Sequence, residues 1–80
     1  MKLPRDLSGA ELARALAELG YQVTRQTGSY LRLTTKALGE HYVTTPAHSA
    51  LPLGTLRAIL TEVSKHCGLT IDLVAGRLFG

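Results

Sequence analysis

"YQVTRQTGSYLRLTTKALGEHYVTTP", residues Tyr21 to Pro46, decides the fold, because its hydrophobic period is two where the flanking sequence keeps a helical one. Tyr21 and Val23 alternate with Gln22, Thr24 and Gln26, then Thr27-Gly28-Ser29 supplies turn chemistry, and Tyr30-Leu31-Arg32-Leu33-Thr34 alternates again. The spacing predicts a hairpin with one apolar face: Leu31 and Leu33 point to a core, while Tyr30, Arg32 and Thr34 share the solvent side. A looser turn containing Gly39 leads to a third strand, His41-Tyr42-Val43-Thr44-Thr45, β-branched and aromatic, and stopped by Pro46. Three sequential strands joined by short turns make an antiparallel meander.

Helical signals flank this stretch. Ser8 and Glu11 have the spacing of a capping box, and Leu7 and Leu12 that of a hydrophobic staple. Leu12, Leu16 and Leu19 recur at helical spacing and Gly20 follows as a stop, so a first helix is expected from about Gly9 to Leu19. After the loop Pro46-Ala47-His48-Ser49-Ala50, Pro52 has the place of a first-turn proline. Leu53, Leu56, Ile59, Leu60 and Val63 then form one stripe, with Gly68 as a C-terminal cap and Gly54 an early weak point. Thr70 to Phe79, carrying Ile71, Val74 and Leu78, is expected to form a short third helix capped by Thr70. Helices with one apolar stripe and a sheet with one apolar face bury each other in two layers. The expected architecture is therefore a single α+β domain, α-β-β-β-α with a short additional helix, whose other sheet face stays open to water.

Eighty residues support one small domain with a few kcal/mol to spare (~3–5) and no deep enclosed cofactor cavity, so chemistry is expected on a surface. Nine Lys and Arg against six Asp and Glu give a formal charge of +3, and the excess is local. Between Tyr21 and Gly39 stand Arg25, Arg32 and Lys36 without an acid, while the flanking stretches balance. An uncompensated basic field suits a polyanion; a solvated basic face kept for solubility is the alternative. The single Cys67 excludes an internal disulfide and reads as a small core residue near a helix end. Met1 to Asp6 shows no apolar leader core and no run is long enough to span a bilayer, so the chain reads as cytoplasmic.

Few residues offer catalytic chemistry. No glycine-rich phosphate loop is present, and Glu11 and Glu18 read as a cap and a solvated residue. His41 and His48 lack a third ligand, so neither a metal nor a cofactor is expected. His66 near the end of the second helix suits the negative end of its dipole. His48, in the loop beside the open face, is either solvated or placed to contact phosphate or transfer a proton. Tyr30 is either a half-exposed strand aromatic or a base-stacking platform beside Arg25, Arg32 and Lys36. A catalytic pair of the adjacent His48 and Ser49 finds no orienting acid and is set aside.

"LSGAELARALAELGYQVTRQTGSYLRLT", then "HYVTTPAH" and "LPLGTLRAIL", resemble the HicA (YcfA-like) toxins of bacterial toxin–antitoxin modules from about Leu7 to Leu69. The resemblance rests on Gly20-Tyr21, the Gly28-Ser29 corner, Val43 through His48, and Gly54-Thr55-Leu56 with Ile59-Leu60. It implies a fold like that of a double-stranded RNA-binding domain, metal-independent cleavage of mRNA, and a HicB-type antitoxin covering the active surface. Homo-oligomerisation is left open. The basic stretch and this corner together give the expected RNA-binding set: Arg25, Gly28, Ser29, Tyr30, Arg32 and Lys36. In the family, the residue after the Gly-Ser corner is usually the catalytic histidine; here it is Tyr30.

An imidazole titrates near ~6.5 and a phenol near ~10, so an unperturbed tyrosine makes a poor general base at neutral pH. Three readings follow: a domain that binds without cleaving, an inactivated toxin, or proton transfer by His48 with Tyr30 orienting substrate. The alternative from another class is a non-catalytic binding module that uses its open sheet face for RNA or a protein partner.

Overall fold

The computed structural model describes residues 3–80. Helix α1 (Gly9–Leu16) leads through a 3₁₀ turn (Ala17–Leu19) into strands β1 (Gln22–Thr27), β2 (Tyr30–Thr35) and β3 (His41–Pro46). Helices α2 (Leu53–Cys67) and α3 (Ile71–Phe79) follow. The strands form one antiparallel sheet in the order β1-β2-β3, the expected meander.

Local chemistry sets the helix ends. Ser8 Oγ accepts from the Glu11 N–H at 3.1 Å and Glu11 Oε1 accepts from the Ser8 N–H at 3.0 Å, which completes the capping box. These bonds with Ser8, with Arg14 adding, hold the Glu11 carboxyl below its ordinary range. The first helix ends where expected, at Leu19, but its last turn tightens to 3₁₀ because Gly20, at φ 86°, donates back to the Ala17 carbonyl. Pro52 precedes the first turn of α2 as its N-cap and so stands one position earlier than first-turn proline. Gly68 closes α2 at φ 69°, and the Thr70 hydroxyl caps α3 by accepting from the Leu73 N–H.

One core joins the layers. Leu12 and Leu16 of α1, Leu33 and Val43 of the sheet, Leu56, Leu60 and Val63 of α2 and Val74 of α3 pack together with Tyr21, all buried. Burying side chains of this size contributes about 1.5–3 kcal/mol each against the entropy of ordering the chain. Leu53, expected on the apolar stripe of α2, is instead exposed in its first turn. Cys67 is half-buried against the core at the end of α2. At that same end, His66 Nε2–H donates to the Ala37 carbonyl at 2.9 Å, and its ring stacks on His41 at 4.6 Å between centroids. His41 Nδ1 in turn shares a 2.8 Å hydrogen bond with the Tyr21 hydroxyl. Expected only at a helix dipole, His66 thus also clamps α2 to the turn between β2 and β3.

A second fastening lies at the opposite end of the sheet. The Ala47 N–H donates to the Ser29 carbonyl at 2.7 Å, and the Ala47 carbonyl accepts from the Ala10 N–H at 3.1 Å. Here α1 approaches so closely that a Cβ on Gly9 would overlap the Pro46 carbonyl oxygen. Gly9→Ala should therefore destabilise the protein by about 1–3 kcal/mol or more, as overpacking against backbone does. Gly54, in α2 with open space around it, is the contrasting site: Gly54→Ala should stabilise by about 0.8–1 kcal/mol. Thermal melts of the two variants check the opposite signs.

Burial, with Cys67 adding to its effect, pushes the Tyr21 phenol up to about 12. The folded protein thus keeps a proton that the unfolded chain releases near pH ~10. Its contribution to stability is complete below that pH and is lost as pH rises through about 12. In denaturant melts across this range, Tyr21→Phe should lose stability less steeply than the wild-type protein.

Candidate nucleic-acid interface

The sheet carries helices on one face only. Pairing assigns the sides: Leu31, Leu33 and Thr35 of β2 and Val43 and Thr45 of β3 are buried towards the helices. Tyr30, Arg32, Thr34, Tyr42, Thr44 and Pro46 take the other side. None of the three strands contains an Asp or Glu.

Strand β1 departs from strict alternation. Its register with β2 shifts between Val23 and Arg25: Val23 pairs with Leu33, but Arg25 pairs with Arg32 and Gln26 with Leu31. The Thr24 hydroxyl reaches that of Thr34 at 2.7 Å, so Thr24 and Arg25 both look out on the open face. Continued alternation from Val23 would have turned Arg25 towards the helices and kept Gln26 on the polar side. The bulge corrects both placements. Val23, expected in the apolar face, is half exposed because α1 opposes this edge strand with alanines that do not cover it.

The result is a hollow of about 160 Å³ on the open face, lined by Arg25, Thr27, Tyr30, Leu31, Arg32 and Thr44. Arg25 and Arg32 are direct cross-strand partners, like charges set side by side. Arg32 also rests its guanidinium 4.4 Å from the centre of the Tyr42 ring, a cation–π contact that fixes it across β2 and β3. Gly28 and Ser29 form the two-residue turn at the rim of this hollow, with Gly28 at φ 56°. Hydroxyls, guanidiniums and an exposed phenol converge there with no lining carboxylate, an arrangement suited to an anion with a planar group attached.

Two expected site residues lie elsewhere. Lys36 follows the far end of β2, about 20 Å of strand from Tyr30, and so does not stand beside it. His48 is exposed but lines a different hollow, a groove of about 510 Å³ between α1 and β1, with Ala10, Ala13, Arg14 and Gln26 among its neighbours. The backbone bonds of Ala47 to Ser29 and Ala10 turn the chain towards α1 directly after Pro46 and carry His48 away from the open face. Tyr42 and Thr44 are the open-face residues that the sequence reading left unassigned. Alternation from the buried Val43 was the signal for both.

A three-stranded meander covered on one face by helices, with a basic aromatic opposite face, defines an α+β domain of the kind built on the double-stranded RNA-binding fold. The family model for the HicA toxin of bacterial toxin–antitoxin systems matches residues 9–69, and the chain belongs to that family. No curated protein and no solved structure matches it. Among the described residues no group of His, Cys, Asp and Glu is placed to hold a metal ion, and no helix is long and apolar enough to cross a membrane.

A cross-strand arginine pair opposes folding and is relieved by salt. Arg25→Gln should accordingly raise the melting temperature at low ionic strength, by a margin that shrinks as salt is added. Arg32→Gln should gain less, since it also gives up the contact with Tyr42.

Proposed function

We propose that this HicA-family domain binds RNA across its open sheet face, at the hollow between Arg25 and Arg32, and cleaves it poorly or not at all with Tyr30 in place. The family supplies the context: a toxin acting on mRNA in the cytoplasm and held by a HicB-type antitoxin. The observation that carries the reading is the composition of the hollow, which joins two unpaired-by-acid guanidiniums and an exposed phenol and includes no imidazole. Arg25 and Arg32 take phosphate oxygens, the Gly28-Ser29 corner lets the strand approach the backbone, and Tyr30 stacks on a base or donates a hydrogen bond to phosphate.

Cleavage through the ribose 2′-OH requires a group that accepts and returns a proton near neutrality. The three histidines are engaged or placed elsewhere: His41 with Tyr21, His66 with Ala37, and His48 in the α1–β1 groove. This favours binding without efficient cleavage over proton transfer by His48. Tyr30→His puts an imidazole into the hollow beside both arginines.

Incubation of purified protein with mRNA tests the assignment: Tyr30→His should cleave in the presence of chelator and the wild-type protein should not. Wild-type cleavage abolished by His48→Ala would transfer the catalytic role to His48. Binding should weaken by about sevenfold between ~50 and ~200 mM salt, the slope expected for two phosphates on a single strand. Affinity for RNA that ignores salt would instead favour a partner held on apolar surface.

A further inference from the structure

We propose that the outer edge of β1 and the groove between it and α1 form a docking site for an extended peptide segment of a partner protein, one that alternates apolar residues and carries a carboxylate. The site is separate from the open face and involves no nucleic acid. Strand order is β1-β2-β3, so β1 is an edge strand whose outer backbone groups pair with no strand among the described residues. All six of its residues are exposed. Natural edges are blunted by lysine, proline or a covering element. "QVTRQT" contains neither lysine nor proline, and the element beside it turns small residues towards the strand. The other edge differs: Val43 and Thr45 of β3 are buried, and Ile59 and Glu62 of α2 line the hollow beside them.

The groove next to β1, about 510 Å³, falls within the range of ligand-binding clefts, ~300–1,000 Å³. Ala10, Ala13 and Ala17, at i, i+3 and i+7, form its helical wall, so no long apolar side chain fills the space from that side. The half-exposed Val23 and Leu31 line it from the sheet. A strand added to β1 points every second side chain to the helical side of the sheet, which seats apolar residues ~7 Å apart in this groove. Its main chain meanwhile pairs with the free N–H and C=O groups of β1. An incoming helix would fill the groove and leave those groups unpaired.

Charge selects the segment. Arg14 and His48 line the groove and no Asp or Glu does. Glu11, one turn before Arg14, is fixed in the capping box by the Ser8 N–H. A carboxylate on the incoming segment therefore finds a guanidinium at the groove wall. A second copy of this chain fits less well, because two-fold pairing of β1 with itself brings Arg25, next to the centre of the strand, close to its own image.

Fluorescence anisotropy with a labelled nonapeptide that alternates valine and serine and ends in two glutamates, against the same peptide ending in two lysines, tests the proposal. The glutamate peptide should bind about tenfold more tightly at low salt, by a ratio that shrinks as salt is added. Arg14→Glu should abolish the preference, whereas Lys65→Glu, the same charge change at an exposed position of α2, should keep it. Ala17→Leu, which fills the groove from an exposed position, should weaken the glutamate peptide about tenfold in a protein whose thermal melt remains cooperative. In the wild-type protein, bound glutamate peptide should slow amide hydrogen exchange within Gln22–Thr27 and leave His41–Pro46 unchanged. Equal binding of the two peptides, or binding of neither, overturns the proposal, as does a preference lost equally in Lys65→Glu or protection that falls on β3. A wild-type dimer in sedimentation that Ala17→Leu abolishes would assign the edge to a second copy instead.

Discussion

The fold turns on the backbone of Ala47. Its N–H and carbonyl bond to Ser29 and Ala10, so one buried residue joins the β1–β2 turn, the exit of β3 and the first turn of α1. Such bonds are individually modest, about 1 kcal/mol each, but a buried peptide group left unpaired costs more, which makes the junction all or none. Gly9 is the condition for it, because only a residue without Cβ lets α1 come down on the Pro46 carbonyl. With that end closed, the position of the hollow holding Tyr30 is fixed relative to both layers. The antiparallel contact of Ser8 with Ala50, and the bond from the Leu51 N–H to the Leu7 carbonyl, extend the same fastening towards α2.

The opposite end is held by side chains. Tyr21, His41 and His66 run from the start of β1 through β3 to the last turn of α2, and the Ala37 carbonyl completes the chain. Two of the three histidines are thereby committed to structure. Between these two fastenings lies a sheet whose buried face is filled by Leu31, Leu33, Val43 and two threonines and whose open face is free to concentrate charge. No carboxylate on the strands compensates Arg25 and Arg32, and their direct pairing costs stability that a bound polyanion would return.

Belonging to the HicA family and having Tyr30 at the hollow pull in different directions. The first points to a ribonuclease toxin, whereas the hollow proposed to hold RNA is lined by no imidazole. The proposed function reconciles them by separating two tasks. In the proposed reading, holding a strand would fall to the guanidiniums, hydroxyls and aromatic faces of the open face, whereas moving a proton would fall to the one side chain after the turn.

By itself the sequence determined the element order, the meander, the helix caps and the face assignment of β2, because each follows from a period or a spacing that neighbouring residues enforce. Leu31 and Leu33 could be placed inside, and Tyr30 outside, from alternation alone. The location of His48 relative to Tyr30 was not legible, since the direction of a loop depends on pairing partners far away in sequence, whereas the separation of Lys36 from Tyr30 follows from the rise of the strand between them. The bulge in β1 was equally hidden: a single extra residue reverses the faces of Arg25 and Gln26, and nothing in "QVTRQT" marks where it falls. Only the pairing of β1 with β2 decides that Arg25 meets Arg32. The sequence thus specified which side chains the open face could use, and the tertiary structure decided which of them meet.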